Sequence, residues 1–121
     1  MNRPPMNRTD ALTALQALAN DARLDLVRLL MPAGAAGLAA GEISRALGLS
    51  ASRLSFHLSV LEQAALIRAR KEGRNVFYAV DPNGMGETIA FLLNDCCKNH
   101  PEVIACCRHG RSPADIRPAS D

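Results

Sequence analysis

Four cysteines near the C-terminus carry the most distinctive chemistry in the sequence. They form two adjacent pairs within twelve residues, Cys96 with Cys97 and Cys106 with Cys107. Thiolates are soft ligands, so such a cluster favours trivalent arsenic or antimony, cadmium, lead, mercury, cuprous copper or tetrahedral zinc. A lone cysteine is usually a small buried hydrophobic residue, but two adjacent pairs in a polar C-terminal region are better explained as ligands.

The backbone between the two pairs must turn back before both pairs can share one ion. In an unbroken helix, Cys97 and Cys106 would lie about 13.5 Å apart along the axis, at ~1.5 Å per residue. Pro101 lacks the amide that would bond the carbonyl of Cys97, and Asn99 readily adopts the left-handed conformation that ends a helix. We therefore predict a helix break that returns the second pair toward the first. Otherwise the site must span two subunits.

Other uses of these thiols stay open. His100 and His109 could complete a zinc site with them, giving a zinc- or cadmium-responsive protein, although no C-x-x-C spacing is present. Reversible disulfides would instead make a peroxide, sulfide or persulfide sensor. A thiol enzyme such as a small reductase needs an activated cysteine, whereas Cys96 and Cys97 end a predicted helix, where the dipole disfavours thiolate. We predict that the protein is not an enzyme.

The bulk composition is that of one ordered domain. The chain has 121 residues, of which 48% are hydrophobic. It has no apolar run of about 18 residues, and its N-terminus lacks the apolar core of a signal peptide. We therefore expect a soluble, cytoplasmic protein without a membrane partner, whose thiols stay reduced. The polar composition of residues 1–8 and 110–121 predicts a disordered arm and a disordered tail around an ordered domain at 9–109.

Two helices are predicted in the first third of the chain. Thr9 or Asp10 can cap the first helix, and Asn20 or Asp21 can cap the second, which ends at the proline and glycine at 32 and 34. Their apolar positions recur at helical spacing and are Leu12, Leu15, Leu18, Leu24, Leu26, Val27, Leu29 and Leu30.

A further pair of helices is predicted around a tight turn. A short helix from Glu42 to Leu47 is closed by Gly48 in a left-handed conformation, and Ser50 caps a fourth helix from about Ala51 to Ala65. The fourth helix has a packing stripe and an opposite, free face: Leu54, Leu58 and Leu61 on the first, and Ser52, Arg53, Ser55 and Phe56 on the second.

A basic β-hairpin follows this helix pair. The segment IRARKEGRNVFYAV predicts two strands around a turn at residues 72–75. A helix, a glycine-containing turn, an amphipathic helix and a basic hairpin together indicate a winged helix-turn-helix, so we predict a mainly α fold with a small β-hairpin. From 44 to 74 the chain has six basic and two acidic residues, a surplus of four against +2 for the whole chain. This local surplus suggests a polyanionic partner, and a solvated basic face explains the charge alone equally well.

Duplex DNA is the partner that this motif predicts. The fourth helix would lie in the major groove, where hydroxyl and guanidinium groups meet base edges and phosphates. Two of the predicted contacts have a structural alternative, since Ser50 is explained by capping alone and His57 lies beside the leucine stripe, where a hydrogen-bonded core histidine is common. The predicted DNA-contacting residues are Ser50, Ser52, Arg53, Ser55 and His57 on the helix, and Lys71 and Arg74 on the hairpin.

The last predicted helix runs from about Gly84 to Cys96 and opens at Pro82. It is too apolar for solvent exposure on so small a domain, and a dimer interface would explain this. The apolar residues in question are Met85, Ile89, Phe91, Leu92 and Leu93.

The sequence resembles the ArsR/SmtB family of metal-responsive repressors over about residues 10–97. The segments that carry the resemblance are LANDARLDLVRLL, GEISRALGLSASRLSFHLSVLEQAALI and RKEGRNVFYAV. The resemblance implies a homodimer, formed through N- and C-terminal helices, that leaves its operator when an inducer binds.

Within this family, a cysteine pair after the dimer helix is similar to the arsenite-responsive members with a three-sulfur C-terminal site. This chain departs from that pattern, since Val103 stands where the third cysteine is expected and the second pair comes later. Two sulfurs alone would suit a methylated trivalent arsenical. Ala39 and Gly41 occupy the place of the cysteines of the founding sensors, and the last helix has no histidine beside Glu87 and Asp95 for a zinc site.

The resemblance therefore predicts a repressor without a permanent cofactor, induced by arsenite, methylarsenite or antimonite. The predicted ligands are Cys96, Cys97 and one of Cys106 and Cys107.

Overall fold

The computed structural model describes residues 6–109, and the chain divides after Thr88 into two compact units. The predicted tail and the first five residues of the predicted arm lie outside this range, whereas Arg8, assigned to that arm, is already the first residue of a helix. Among the described helices, none is both long and apolar enough to cross a membrane. The elements are α1 (Arg8–Leu18), α2 (Asp21–Leu30), a 3₁₀ turn (Met31–Ala36), β1 (Leu38–Ala39), α3 (Ala40–Leu47), α4 (Ala51–Gln63), β2 (Ile67–Glu72), β3 (Asn75–Val80), α5 (Pro82–Ala90), a π-helical turn (Phe91–Cys96) and α6 (Pro101–His109).

Helix α1 packs through alanines. Asn7 caps it by accepting a hydrogen bond from the amide of Asp10 at 2.7 Å, so the cap predicted at Thr9 or Asp10 is wrong. Of the leucines predicted at helical spacing, Leu12 is 48% exposed, whereas Leu15 and Leu18 are partly buried and Leu18 packs against the core. An alanine face lets the helix backbone approach its neighbour α4 closely, which a leucine face would prevent. The buried residues are Ala11, Ala14 and Ala17.

Helix α2 follows the sequence-based prediction more closely. Asn20 caps it by accepting from the amide of Arg23 at 3.1 Å. Leu24 is an exception to the predicted packing, since it is 48% exposed. The side chains that α2 contributes to the core are Leu26, Val27 and Leu30.

The helix-turn-helix is formed as predicted. Ile43 of α3 is fully buried, and Gly48 ends that helix with a φ of 65°. Ser50 caps α4 by accepting from the amide of Arg53 at 3.3 Å. Helix α4 ends at Gln63, two residues before the predicted end. The turn therefore fixes the direction in which α4 leaves α3.

The hairpin is confirmed, but it belongs to a larger sheet. Strands β2 and β3 pair antiparallel around a turn at Gly73, whose φ is 61°. In the described part of the chain a third strand, β1, pairs with the other edge of β3 and gives the order β1, β3, β2. Gly37 permits this pairing, because its φ is 71° and a Cβ there would lie 2.3 Å from the carbonyl oxygen of Tyr78.

The start of α5 lies against the residues that follow α4. The carboxylate of Asp81 caps α5, accepting from the amides of Asn83 and Gly84 at 3.0 and 3.3 Å. Gly84 is buried, and a Cβ at this position would lie 1.7 Å from the carbonyl oxygen of Ala65. Only a residue without a side chain allows this contact.

Replacing Gly84 by alanine is expected to lower the free energy of unfolding by about 1–3 kcal/mol, since the new methyl group forces backbone to move. Gly86→Ala in the same helix is the matched control, because a Cβ at Gly86 meets nothing within 4 Å. That substitution should be neutral or stabilising by up to about 1 kcal/mol. Urea unfolding of both variants at one protein concentration measures the difference, and equal stabilities would contradict the close contact.

Candidate nucleic-acid interface and cysteine site

Helix α4 separates a packed face from a free face. Leu54, Leu58 and Leu61 are between 0% and 3% exposed and join the core. Four of the residues predicted to contact DNA lie away from this packed face and are exposed: Ser50, Ser52, Arg53 and Ser55. Ser50 also caps the helix, and its hydroxyl lies 3.4 Å from that of Ser52. The free face thus presents hydroxyls and one guanidinium from the first turn and a half of α4.

The hairpin presents basic side chains at its outer end. Lys71 and Arg74 are both exposed, and Arg74 follows Gly73 in the turn. In the winged helix-turn-helix arrangement, this turn is the part that meets the DNA backbone beside the recognition helix. These two residues stay the predicted wing contacts.

Arg70 has a structural role that the sequence did not predict. Its guanidinium donates to the carbonyl oxygens of Ala35 and Ala36 at 3.1 and 3.2 Å, across 35 and 34 residues of chain. The same group lies 5.1 Å from the centre of the Phe77 ring and 3.3 Å from the carboxylate of Glu72. One charge of the basic surplus therefore holds the wing to the 3₁₀ turn after α2.

His57 lies on the packed side of α4. It is 7% exposed, and its Nδ1 accepts a hydrogen bond from Nη1 of Arg23 at 3.1 Å. Nε of Arg23 donates in turn to the carbonyl oxygen of Ala17. His57 is therefore placed as a structural residue and not on the free face, because its ring joins α4 to α1 and α2 inside the domain.

The surroundings of His57 favour its neutral form. Burial lowers its pKa, and the positive charges of Arg23 and Arg53 lower it further. An arginine can only donate, so its hydrogen bond requires an unprotonated Nδ1. Protonation would place an N–H against a guanidinium.

The free energy of unfolding should consequently decrease as the pH is lowered below about 6.5, the pKa that His57 has in the unfolded chain. Below that pH, the unfolded chain binds a proton that the folded protein resists. Above it, neutral His57 makes its full contribution to the free energy of unfolding. His57→Gln keeps an acceptor for Arg23 but does not titrate, so its unfolding free energy should depend less on pH. Urea unfolding between pH 5 and 8 measures both proteins, and equal pH slopes would contradict this account.

The helix that carries the first cysteine pair ends where the sequence predicts. The amide of Cys97 bonds the carbonyl of Leu92 at 2.8 Å, and that of Asn99 bonds the carbonyl of Leu93 at 2.7 Å. Lys98 and Asn99 have φ of 54° and 56°, and a new helix, α6, begins at Pro101. The predicted break at Asn99 and Pro101 is confirmed.

The residue before this new helix is a histidine with a structural contact. Nδ1 of His100 accepts from the amide of Glu102 at 3.2 Å, so one of its two ring nitrogens is used at the start of α6. His109, the other histidine of the alternative zinc site, ends α6, and its side chain lies outside the described residues. In the described part of the chain, the alternative zinc site could therefore use only Nε2 of His100 as an imidazole ligand.

The four thiols are free and accessible. Cys97 is half-buried, and the other three are exposed. Burial raises the pKa of Cys97, and a side-chain hydrogen bond with Cys96 raises it further. Among the described residues, no three potential ligands lie close enough together to hold a metal ion. A three-sulfur site would thus require α6 to move toward Cys96, or a second subunit.

The sequence is similar to that of known transcriptional regulators. Residues 18–70 match a helix-turn-helix domain family. The chain is 35% identical over 92 residues to the transcriptional activator HlyU of Vibrio cholerae, covering 76% of this chain and 82% of that protein. It is 33% identical over 87 residues to the HTH-type transcriptional regulator YgaV of Escherichia coli, covering 72% and 86%.

Solved structures agree with this relationship. A possible transcriptional regulator for arsenical resistance superposes with a TM-score of 0.59 at 32% identity, over 66% of this chain and 80% of that chain. The homodimeric winged helix-turn-helix DNA-binding domain of Mb0332 from Mycobacterium bovis, a possible ArsR-family regulator, has a TM-score of 0.58 over 77% and 86%. Its identity of 24% shows the fold alone. The free face of α4, the basic wing and these similarities together place the chain in the ArsR/SmtB family of winged helix-turn-helix DNA-binding transcriptional regulators.

Proposed function

We propose that the protein is a homodimeric repressor that leaves its operator when trivalent arsenic binds the C-terminal cysteines. The observation that carries the proposal is a pair of adjacent free thiols, Cys96 and Cys97, at the end of a helix, followed within four residues by the start of α6 with its own pair. The inducer class comprises arsenite, methylarsenite and antimonite.

The chemistry of trivalent arsenic matches adjacent thiols. Arsenous acid, As(OH)₃, exchanges its three hydroxyl groups for three sulfurs and releases three waters, with each thiol losing its proton and no change of oxidation state. Methylarsenite has two exchangeable hydroxyl groups and needs only two sulfurs. Cys96 and Cys97 would therefore suffice to bind methylarsenite. Arsenite needs a third sulfur, which Cys106 or Cys107 of α6 would supply.

Binding of arsenite would change the backbone as well as the thiols. Because the described thiols do not form a three-ligand cluster, closing three As–S bonds must draw α6 toward the end of the π-helical turn or toward a second subunit. In a homodimer, such a shift alters the spacing of the two α4 helices, which must match half-sites about one helical turn apart. The similarity to a possible regulator for arsenical resistance supports this inducer.

The test is a titration of reduced protein on DNA. A fluorescent duplex is first selected from a random library, and its anisotropy with the protein is measured against arsenite, methylarsenite and antimonite. The proposal expects release of DNA together with loss of three free thiols for each bound arsenite and two for each methylarsenite. Unchanged DNA affinity of the reduced protein in saturating arsenite would exclude arsenic as the inducer.

A redox switch is the second candidate, and exposed, unpaired cysteines favour it. The solved structures of HlyU from Vibrio cholerae include a reduced form, at 33% identity to this chain. Hydrogen peroxide would oxidise two thiols to a disulfide, taking their two protons and two electrons, and would itself be reduced to two waters. Mass spectrometry after peroxide or persulfide treatment decides, because this candidate requires a disulfide or a polysulfide bridge and DNA release without arsenic.

A further inference from the structure

Phe56 is an apolar residue on the polar face of the recognition helix. Its side chain is 61% exposed, on the same side of α4 as Ser52, Arg53 and Ser55. Single exposed hydrophobic residues are common on protein surfaces. This ring, however, stands at the centre of the face that the helix-turn-helix directs toward DNA.

The ring of Phe56 is supported from beneath. It packs edge-on against His57, with ring centres 5.4 Å apart and planes at 63°. His57 is itself bonded to Arg23, whose Nε donates to the carbonyl oxygen of Ala17 at 2.6 Å. A partly buried chain of contacts from α1 through α2 thus holds the base of an exposed aromatic side chain.

The chemistry of a phenyl ring limits what it can recognise on DNA. It has no hydrogen-bond donor or acceptor for phosphates or for the polar edges of bases. The C5-methyl group of thymine is the apolar feature that the four base pairs present in the major groove. We propose that Phe56 selects thymine in each half-site by contact with this methyl group, while the neighbouring hydroxyls and Arg53 bind polar atoms. This inference rests on the proposed binding of operator DNA by α4.

The experiment removes the methyl group from the DNA and the ring from the protein. Duplexes that bind the full-length protein are selected from a random library, and each thymine is replaced in turn by uracil. One position in each half-site should respond to this replacement. Changing it in one half-site should raise the dissociation constant about fourfold, the effect of one buried methyl group, and changing it in both half-sites should raise it about 15-fold. Phe56→Ala should bind thymine and uracil duplexes equally.

Two further variants make the result specific. Phe56→Gln should also lose the thymine preference, because an amide pairs with adenine instead. Leu12→Ala removes another exposed apolar residue, in this case from α1, and should keep the full difference between thymine and uracil. Thermal unfolding confirms that each variant is folded.

Three outcomes would overturn the inference. Uracil at every position could bind as tightly as thymine, or Phe56→Ala could keep the wild-type difference. A loss of dimer in Phe56→Ala by sedimentation would instead assign the ring to a protein interface. If the wild-type protein selects no duplex at all, the proposed DNA-binding function fails first, and this result is distinct from selection without thymine preference.

Discussion

Replacing Arg53 by alanine is expected to weaken operator binding by at least about 30-fold. Arg53 is exposed in the first turn of α4, where the cap at Ser50 fixes the helix start. One bidentate contact between an arginine and a guanine contributes about 1–3 kcal/mol, and a homodimer loses two such contacts. The loss should be greatest on the preferred sequence and small on unrelated DNA, so anisotropy titrations on both duplexes measure it.

The wing arginine offers a contrasting result. Arg74→Ala should weaken binding to all sequences alike and reduce the slope of log affinity against log salt by about 2, for two lost phosphate contacts in a dimer. Arg28→Ala, at an exposed position of α2, removes the same charge outside the recognition helix and the wing. If Arg53→Ala binds like Arg28→Ala, then α4 does not contact bases through this residue.

Replacing Cys96 and Cys97 together by serine is expected to abolish DNA release by arsenite and by methylarsenite. Serine keeps the size of the side chain, but its hydroxyl is a poor ligand for a thiophilic centre. In the wild-type protein, the inducer should lower affinity by about 5- to 150-fold, the usual range of coupling between two sites. The double variant should bind operator normally and show no change in anisotropy with inducer.

The second pair separates the inducers. Cys106→Ser with Cys107→Ser should lose the response to arsenite, which requires three sulfurs, but keep the response to methylarsenite, which requires two. The two single variants then identify the third ligand. A normal arsenite response without Cys96 and Cys97 would contradict the proposed site, and a response of the wild-type protein to peroxide alone would favour the redox switch.

The local features of this fold could be predicted from the sequence because each depends on neighbouring residues. The period of Leu54, Leu58 and Leu61 determines the packed side of α4 and thereby its free face. Gly48 and Ser50 mark the turn, since a left-handed end and an N-cap need those residue types. The break between the cysteine pairs followed from Pro101 in the same way.

Contacts between distant residues decided the rest. Strand β1 has only two residues and no alternating pattern, so it is recognisable as a strand only through its pairing with β3. The choice of alanines over leucines for the buried face of α1 depended on how closely α4 approaches. Neither feature leaves a signal at its own position in the chain.

The candidate site shows the same division. Sequence alone identified the four cysteines, the basic hairpin and the polar face of α4, because residue type and spacing suffice for these. Only the tertiary structure moved His57 into the core beside Arg23 and assigned Arg70 to the turn after α2, each across 34 residues or more. Those roles depend on which distant groups folding brings within hydrogen-bond distance, and local periodicity contains no information about such groups.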